Sequence, residues 1–282
     1  MGINRREFLK KTALLTATGI AVTHLFNCNK NVEKKPNIIL IMADDMGFSD
    51  IAPFGGEIPT PSLSYLANNG YRMTQFYNAA RCCPTRASLL TGLYPHQAGI
   101  GAMTSPKKDS AGNVLPAYQG YLNNKSITLA EALKANGYKT AISGKWHVGE
   151  ARKHWPAKRG FDKSFAFING ACDYFNMEKY WSEDQKSYLT LNDEVIYPDD
   201  NFYMTRDISQ HATRFIQDFS QKDAPFFMYV PYTAPHWPLH ALEEDIEKFR
   251  GKYKKGWNYY RKQRYEKMKK MGIIDPAWPL LP

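Results

Sequence analysis

The sequence predicts a layered α/β fold with a mostly parallel central sheet and helices on both of its faces. Three observations carry this. Short apolar runs recur at Ile38–Met42, Tyr138–Ser143 and Pro225–Val230, as expected of strands in the interior of such a sheet. Segments with helix-start and helix-stop signals separate them, so the repeated unit is strand, loop, helix. Hydrophobic residues make up 43% of the 282 positions, ample for a core, and no internal repeat or low-complexity block breaks the alternation.

Ile38 to Met42 reads as a strand buried on both faces, and it ends abruptly at Asp44 and Asp45. Two adjacent carboxylates inside a core are costly, so something positive must meet them. Open α/β sheets place ligands at the carboxyl ends of their strands, and hard oxygen donors suit calcium or magnesium. Taken alone, Asp-Asp reads by default as a solvated turn. Thr60-Pro61 opens a helix as N-cap and first-turn proline, with Leu63 and Leu66 facing inward and Gly70 ending it. Tyr71 to Tyr77 then returns as a strand toward Cys82. Thr128 and Glu131 form the capping box of a helix that Gly137 terminates. Ile208, Ala212, Phe215, Ile216 and Phe219 mark one face of another helix before the last strand. Asp173 to Tyr203 is polar and aromatic without clear periodicity. Tyr174, Phe175, Tyr180 and Trp181 there read as walls of a substrate pocket, or by default as loop packing.

Residues 82–92 read Cys-Cys-Pro-Thr-Arg-Ala-Ser-Leu-Leu-Thr-Gly. A plain reading makes Cys82-Cys83 a buried pair or a redox site. The stretch also fits C-x-P-x-R-x-x-x-x-T-G from Cys82, with Pro84, Arg86, Thr91 and Gly92 in step; from Cys83 the proline and arginine fall out of place. In that register it closely resembles the signature of type I sulfatases, whose leading cysteine is oxidised to Cα-formylglycine. Sulfate esters are anionic, so stabilising positive charge must be fixed before attack. A thiol attacking sulfur would leave a thiosulfate-type adduct. A hydrated aldehyde becomes sulfated through one hydroxyl and expels sulfate when the second collapses to the carbonyl. Pro84 opens a helix, which puts the nucleophile at a helix N-terminus, with Arg86 close by.

Other segments extend the resemblance. Asp44-Asp45-Met46-Gly47 resembles the family's Asp-Asp-x-Gly calcium site, which implies Asp44, Asp45 and the modified Cys82 as metal ligands. Gly144-Lys145-Trp146-His147-Val148-Gly149 resembles the G-K-W-H-x-G segment, and Pro235-His236 a sulfate-binding P-H segment. The resemblance implies that His147 takes the proton as the sulfated intermediate collapses. It also implies that Lys145 and His236 bind sulfate, one of them assisting the leaving oxygen. Gly120-Tyr121-Leu122-Asn123-Asn124 and its surroundings resemble the arylsulfatase-like branch.

The resemblance covers roughly residues 36–282 and implies the alkaline-phosphatase-like sulfatase fold. The family takes further calcium ligands, an Asp-Asn pair, and another sulfate-binding lysine from a more C-terminal part. No such pair follows His236; Asp199-Asp200-Asn201 and Asn192-Asp193 precede it. Residues 36–282 therefore read as the N-terminal part of a sulfatase catalytic domain, in a longer enzyme or a truncated product. With the smaller C-terminal subdomain largely missing, a sheet edge and apolar surface should be exposed. Calcium binding by the chain itself should then be weak, and turnover slight.

Residues 1–35 read as an export signal and tether. Arg5-Arg6-Glu7-Phe8-Leu9-Lys10 resembles the twin-arginine consensus, followed by an apolar stretch too short and threonine-rich for a membrane span. The implied location is periplasmic or cell-envelope, with Cys28 either lipidated or close to a simple cleavage site. Implied partners are the twin-arginine export machinery and a formylglycine-generating maturation enzyme. Four cysteines are too few for a disulfide framework, and Cys172 reads as a small packed apolar residue. The net charge of +10 lies partly between Lys248 and Lys270, interleaved with Tyr253, Trp257, Tyr259, Tyr260 and Tyr265. That block reads as a helix with a solvated basic face and inward aromatic anchors rather than a nucleic-acid surface. The leading expectation is hydrolysis of a small-molecule or glycan sulfate ester. The alternatives are phosphate or phosphonate ester hydrolysis in the same superfamily, and a non-catalytic polyanion- or glycan-binding protein.

Overall fold

The computed structural model describes residues 34–177 and 187–282. The leader readings, including Arg5-Arg6 and Cys28, and the pocket-wall reading of Tyr180 and Trp181 lie outside the described residues. Among the described residues no helix is long and apolar enough to cross a membrane.

Six strands form one sheet: β1 (Ile38–Met42), β2 (Lys139–Lys145), β3 (Lys163–Phe167), β4 (Leu189–Leu191), β5 (Glu194–Ile196) and β6 (Phe226–Pro231). Their spatial order is β1-β6-β2-β3-β4-β5. β1, β6, β2 and β3 run parallel, and β4 and β5 add an antiparallel hairpin at one edge. The mostly parallel sheet is thus as expected, with β6 inserted between β1 and β2. The hairpin falls in the stretch that lacked periodicity. It turns on Asn192 and Asp193, both with positive φ, a conformation that Asn and Asp tolerate.

The helices are α1 (Pro61–Asn69), α2 (Cys82–Thr91), α3 (Leu129–Ala135), α4 (Met204–Ser220), α5 (Glu243–Glu247) and α6 (Trp257–Lys270). One core cluster joins α2 and α3 to one face of the sheet through Leu90, Ala130, Ile142, Trp146, Phe161, Phe227 and Tyr229. The other gathers Ile208, Phe215 and Phe219 of α4 with Phe165, Phe226 and Met228. α4 therefore buries the stripe its spacing predicts, with Ile216 partly buried at its margin. The capping box of α3 forms as read. Thr128 Oγ1 accepts from the Glu131 N–H at 3.1 Å, and Glu131 Oε2 accepts from the Thr128 N–H at 2.7 Å.

Several local expectations fail for non-local reasons. β1 alternates in burial rather than being covered on both faces: Ile38, Leu40 and Met42 pack against a core cluster, whereas Ile39 is 49% and Ile41 57% exposed. Tyr71 to Tyr77 is not a strand. It runs as an exposed irregular segment, with no described strand edge pairing it. α1 spans the expected residues, but Leu66 is exposed and Thr60 does not cap it. Thr60 Oγ1 instead accepts from the Ala52 N–H at 3.0 Å. α6 forms in the basic block, with Tyr260 and Tyr265 partly buried as expected, whereas Trp257 at its start is 92% exposed. Its inner side also carries buried Met268 and Arg264, which pairs with Asp50 at 2.6 Å and Glu57 at 2.7 Å. Cys172 is fully buried, as read.

Two predictions follow from this packing. Gly144 in β2 has φ +135°, and a Cβ there would stand 2.0 Å from the Pro231 carbonyl oxygen of β6. Gly144→Ala should therefore destabilise the fold by roughly 2–4 kcal/mol, read by urea denaturation. His211 stacks on Phe165 with ring centroids 4.0 Å apart. Burial lowers its pKa, Arg214 lowers it further, and Asp207 opposes them. The neutral ring favours the folded state, so its contribution is complete above the unfolded value of about 6.5 and is lost as pH falls through the lower folded value. Denaturation curves across that range should show stability falling on acidification, with a shallower slope in His211→Gln.

Candidate active site

Insertion of β6 makes the carboxyl ends of β1, β6 and β2 converge where the strand order reverses, the usual position of a ligand site in an open α/β sheet. Asp44 follows β1, Lys145 ends β2 with His147 just beyond it, and His236 lies in the loop after β6. α2 brings Cys82 at its first residue. The helix begins two residues earlier than expected, leaving Pro84 still in the first turn, where its missing N–H has no partner to lose.

Asp44 is 3% exposed. Its Oδ2 accepts from Lys145 Nζ at 2.5 Å and lies 3.4 Å from Arg86 Nη2, both cations fully buried. Arg86 Nη1 also donates to the Lys145 carbonyl oxygen at 2.9 Å. The positive charge required beside the aspartates is therefore supplied by the chain itself. Asp45 differs: it turns with φ +58°, and its side chain is 63% exposed. His236 Nε2 lies 3.6 Å from Asp45 Oδ2. The backbone joins the two halves, with the Asp44 N–H donating to the Ala234 carbonyl oxygen at 3.1 Å.

Cys82, Cys83 and His147 form a second knot, with their ligating atoms within 4.8 Å of one another. The Cys82 thiol pKa is pulled far down. A hydrogen bond from Cys83 is the main cause, burial opposes it, and His147 and Lys145 lower it further. Cys83 is pushed up by the same hydrogen bond and by burial. Burial lowers the His147 pKa despite its hydrogen bond to Cys82, so the ring is neutral near pH 7. His147 Nδ1 is buried with no hydrogen-bond partner.

Two roles escaped the sequence reading, that of Tyr174 and that of Gly170. Tyr174 is buried, and its hydroxyl lies 2.8 Å from the Thr233 carbonyl oxygen and 2.7 Å from that of His236, clamping the loop that carries His236. This burial fits the default reading of loop packing. Gly170 lies against the His147 ring, where a Cβ would stand 2.7 Å from Cε1. Nothing local marks either position. Asn192 and Asp193, by contrast, serve the β4–β5 turn: Asp193 pairs with Arg152 and Lys158, and Asn192 Oδ1 accepts from the Ser164 N–H at 3.0 Å.

The donor chemistry of Asp44 and Asp45 suits a hard divalent cation, with residue 82 on the neighbouring helix. Two carboxylates fall short of the six to eight oxygens that calcium takes, and one is already engaged by Lys145 and Arg86. The fit among the described residues is partial.

A family model described as Sulfatase matches residues 36–275. The chain belongs to the sulfatase family. It is 40% identical over 256 residues to an uncharacterized sulfatase of Schizosaccharomyces pombe, covering 87% of this chain and 46% of that protein. It is 38% identical to an arylsulfatase of Klebsiella aerogenes, covering 88% and 53% respectively. Among solved structures it resembles Ps i-CgsB in complex with k-i-k-neocarrahexaose, with TM-score 0.66, 32% identity, and coverage of 85% of this chain and 53% of that one. Another sulfatase-fold structure, bound to its substrate D-glucosamine-2-N,6-O-disulfate, aligns with TM-score 0.60 and 26% identity over 78% and 38% of the two chains. The chain thus spans about half the length of the curated relatives it matches. The expected sulfatase fold is the one observed.

Gly170→Ala should push the His147 ring off Cys82 at a stability cost of roughly 1–3 kcal/mol. Imidazole NMR would show it, with the His147 resonances moving and those of the distant His96 unchanged.

Proposed function

We propose that this sulfatase-family chain carries the nucleophile-bearing part of a sulfate monoester hydrolase, converting R–O–SO3⁻ and water into an alcohol, sulfate and a proton. The observation that carries the reading is Cys82 at the first turn of α2, held against the buried neutral ring of His147 and within the field of Lys145. Converted to Cα-formylglycine, residue 82 would supply a hydrated aldehyde as nucleophile. A calcium ion held by Asp44, Asp45 and residue 82 would supply fixed positive charge toward the sulfate oxygens.

The remaining work falls to side chains already in place. Lys145 presents its ammonium between Asp44 and residue 82 and attracts the sulfate group. His147, neutral near pH 7, accepts a proton from a hydroxyl on residue 82. His236, beside Asp45, offers a second polar contact to sulfate and a proton for the leaving oxygen. Arg86, as buried as Lys145, adds a second positive charge beside Asp44. It fixes the Lys145 carbonyl and the Asp44 carboxylate, and so holds the other groups in position.

The substrate is a sulfated aryl or glycan alcohol. Support comes from relatives named arylsulfatase and N-acetylgalactosamine-6-sulfatase and from the neighbour bound to a disulfated glucosamine. The rest of the reading follows the leader motifs: residues 1–35 as a twin-arginine signal and tether, residues 36–282 as catalytic-domain sequence, and delivery to the periplasm or cell envelope, with Cys28 either lipidated or close to a simple cleavage site. A formylglycine-generating enzyme is the required partner.

Coexpression with a maturation system should give a residue 82 peptide with the mass of formylglycine. The matured chain, joined to its genomic downstream sequence, should prefer nitrophenyl sulfate to nitrophenyl phosphate. Lys145→Met should lower the sulfatase rate about 10²–10³-fold. An unmodified Cys82 under conditions that convert a known sulfatase, or a clear preference for phosphate, would sink the proposal.

A further inference from the structure

The same corner of the molecule holds a second donor set of opposite chemical character. Cys82, Cys83 and His147 bring two sulfurs and an imidazole within 4.8 Å of one another. Behind Cys83 lies a fourth soft atom, the Met103 thioether sulfur, 3.9 Å from Cys83 Sγ. His147 Nδ1 is buried without a hydrogen-bond partner. Cys82 alone of the three donors is partly open to solvent, which gives an ion a way in.

We propose that, while residue 82 is still a cysteine, the chain holds one copper(I) ion through Cys82 Sγ, Cys83 Sγ and a ring nitrogen of His147. Thiolate and thioether donors select copper(I), and three donors satisfy it without a fourth ligand, whereas zinc keeps a vacant position in such a set. Electrostatics points the same way. Binding sends both thiol protons to solvent and leaves the copper oxidation state unchanged. One copper(I) with two thiolates carries a charge of −1, whereas zinc in the same set would be neutral. The more anionic complex is favoured beside the buried cations Lys145 and Arg86. Copper binding and conversion of Cys82 are then mutually exclusive, because each consumes the same sulfur.

The test uses the full chain produced without any maturation enzyme, with Cys28→Ser in every sample so that only described thiols remain. Under anaerobic reducing conditions, copper(I) is supplied on a chromophoric competing chelator. One equivalent should leave the chelator. Cys83→Ser and His147→Gln should each weaken capture by more than about tenfold, and Cys172→Ser should not. X-ray absorption on the chain with Cys82, Cys83 and His147 intact should show two sulfurs and one nitrogen around copper, a readout that does not depend on any variant folding. Retention of all copper by the chelator, unweakened capture by Cys83→Ser, or a shell without sulfur would overturn the proposal. The hydrolytic reading is separable: a matured chain joined to its genomic downstream sequence should cleave sulfate yet take no copper. Copper capture by the unconverted chain is scored whether or not hydrolysis is seen.

Discussion

The Asp44 carboxylate, enclosed by two buried cations, is the constraint on which the rest of the site depends. Its partners arrive from different elements, Lys145 from the end of β2 and Arg86 from α2. Loss of the Asp44 carboxylate would leave two buried cations without their partner, at a cost of about 3–5 kcal/mol. The triad therefore fixes the relative placement of β1, β2 and α2, and with it the line from Lys145 through Cys82 to His147. The close approach of β2 to β6 at Gly144 and the Tyr174 clamp on the His236 loop adjust a geometry that this charge balance has already set.

What the sequence made legible was local in origin. The capping box of α3 needs only Thr128 and Glu131, and the stripe on α4 needs only helical spacing, so both are where the pattern puts them. The Cys82, Lys145 and His147 segments were readable because they resemble sulfatase motifs, and residue chemistry then gave those motifs a reason. The failures depend on neighbours distant in sequence. Ile39 and Ile41 carry the pattern of a fully buried strand, but burial is decided by whatever lies beside β1. Tyr71 to Tyr77 has strand composition without an edge to join. Tyr174 and Gly170 act through contacts 59 residues away or through an absent side chain, and neither leaves a trace in local composition. The β4–β5 hairpin alone was a missed signal, since Asn192-Asp193 is a turn pair between two short apolar runs.

The site also joins hard and soft donors in one small volume. Asp44 and Asp45 present oxygens, whereas Cys82, Cys83, His147 and Met103 present sulfur and imidazole nitrogen. Lys145 and Arg86 lie between the two sets and carry positive charge toward both. Any cation must contend with them, and any anion gains from them.

Strand order has a temporal meaning as well. β1 and β2 touch only through β6, so the earliest strand waits for one of the last: Asn37 and Phe226, joined by a hydrogen bond, are 189 residues apart. Such long-range parallel pairing is slow to form, because chain entropy is lost before contacts reward it. As the chain emerges from its N-terminus, α2 can coil before β6 exists to close the sheet above it. During that interval Cys82 is carried on a helix whose surroundings are unfinished. The thiol that ends half-buried in the folded protein thus has its widest exposure during synthesis, and chemistry on that sulfur competes with closure of the sheet.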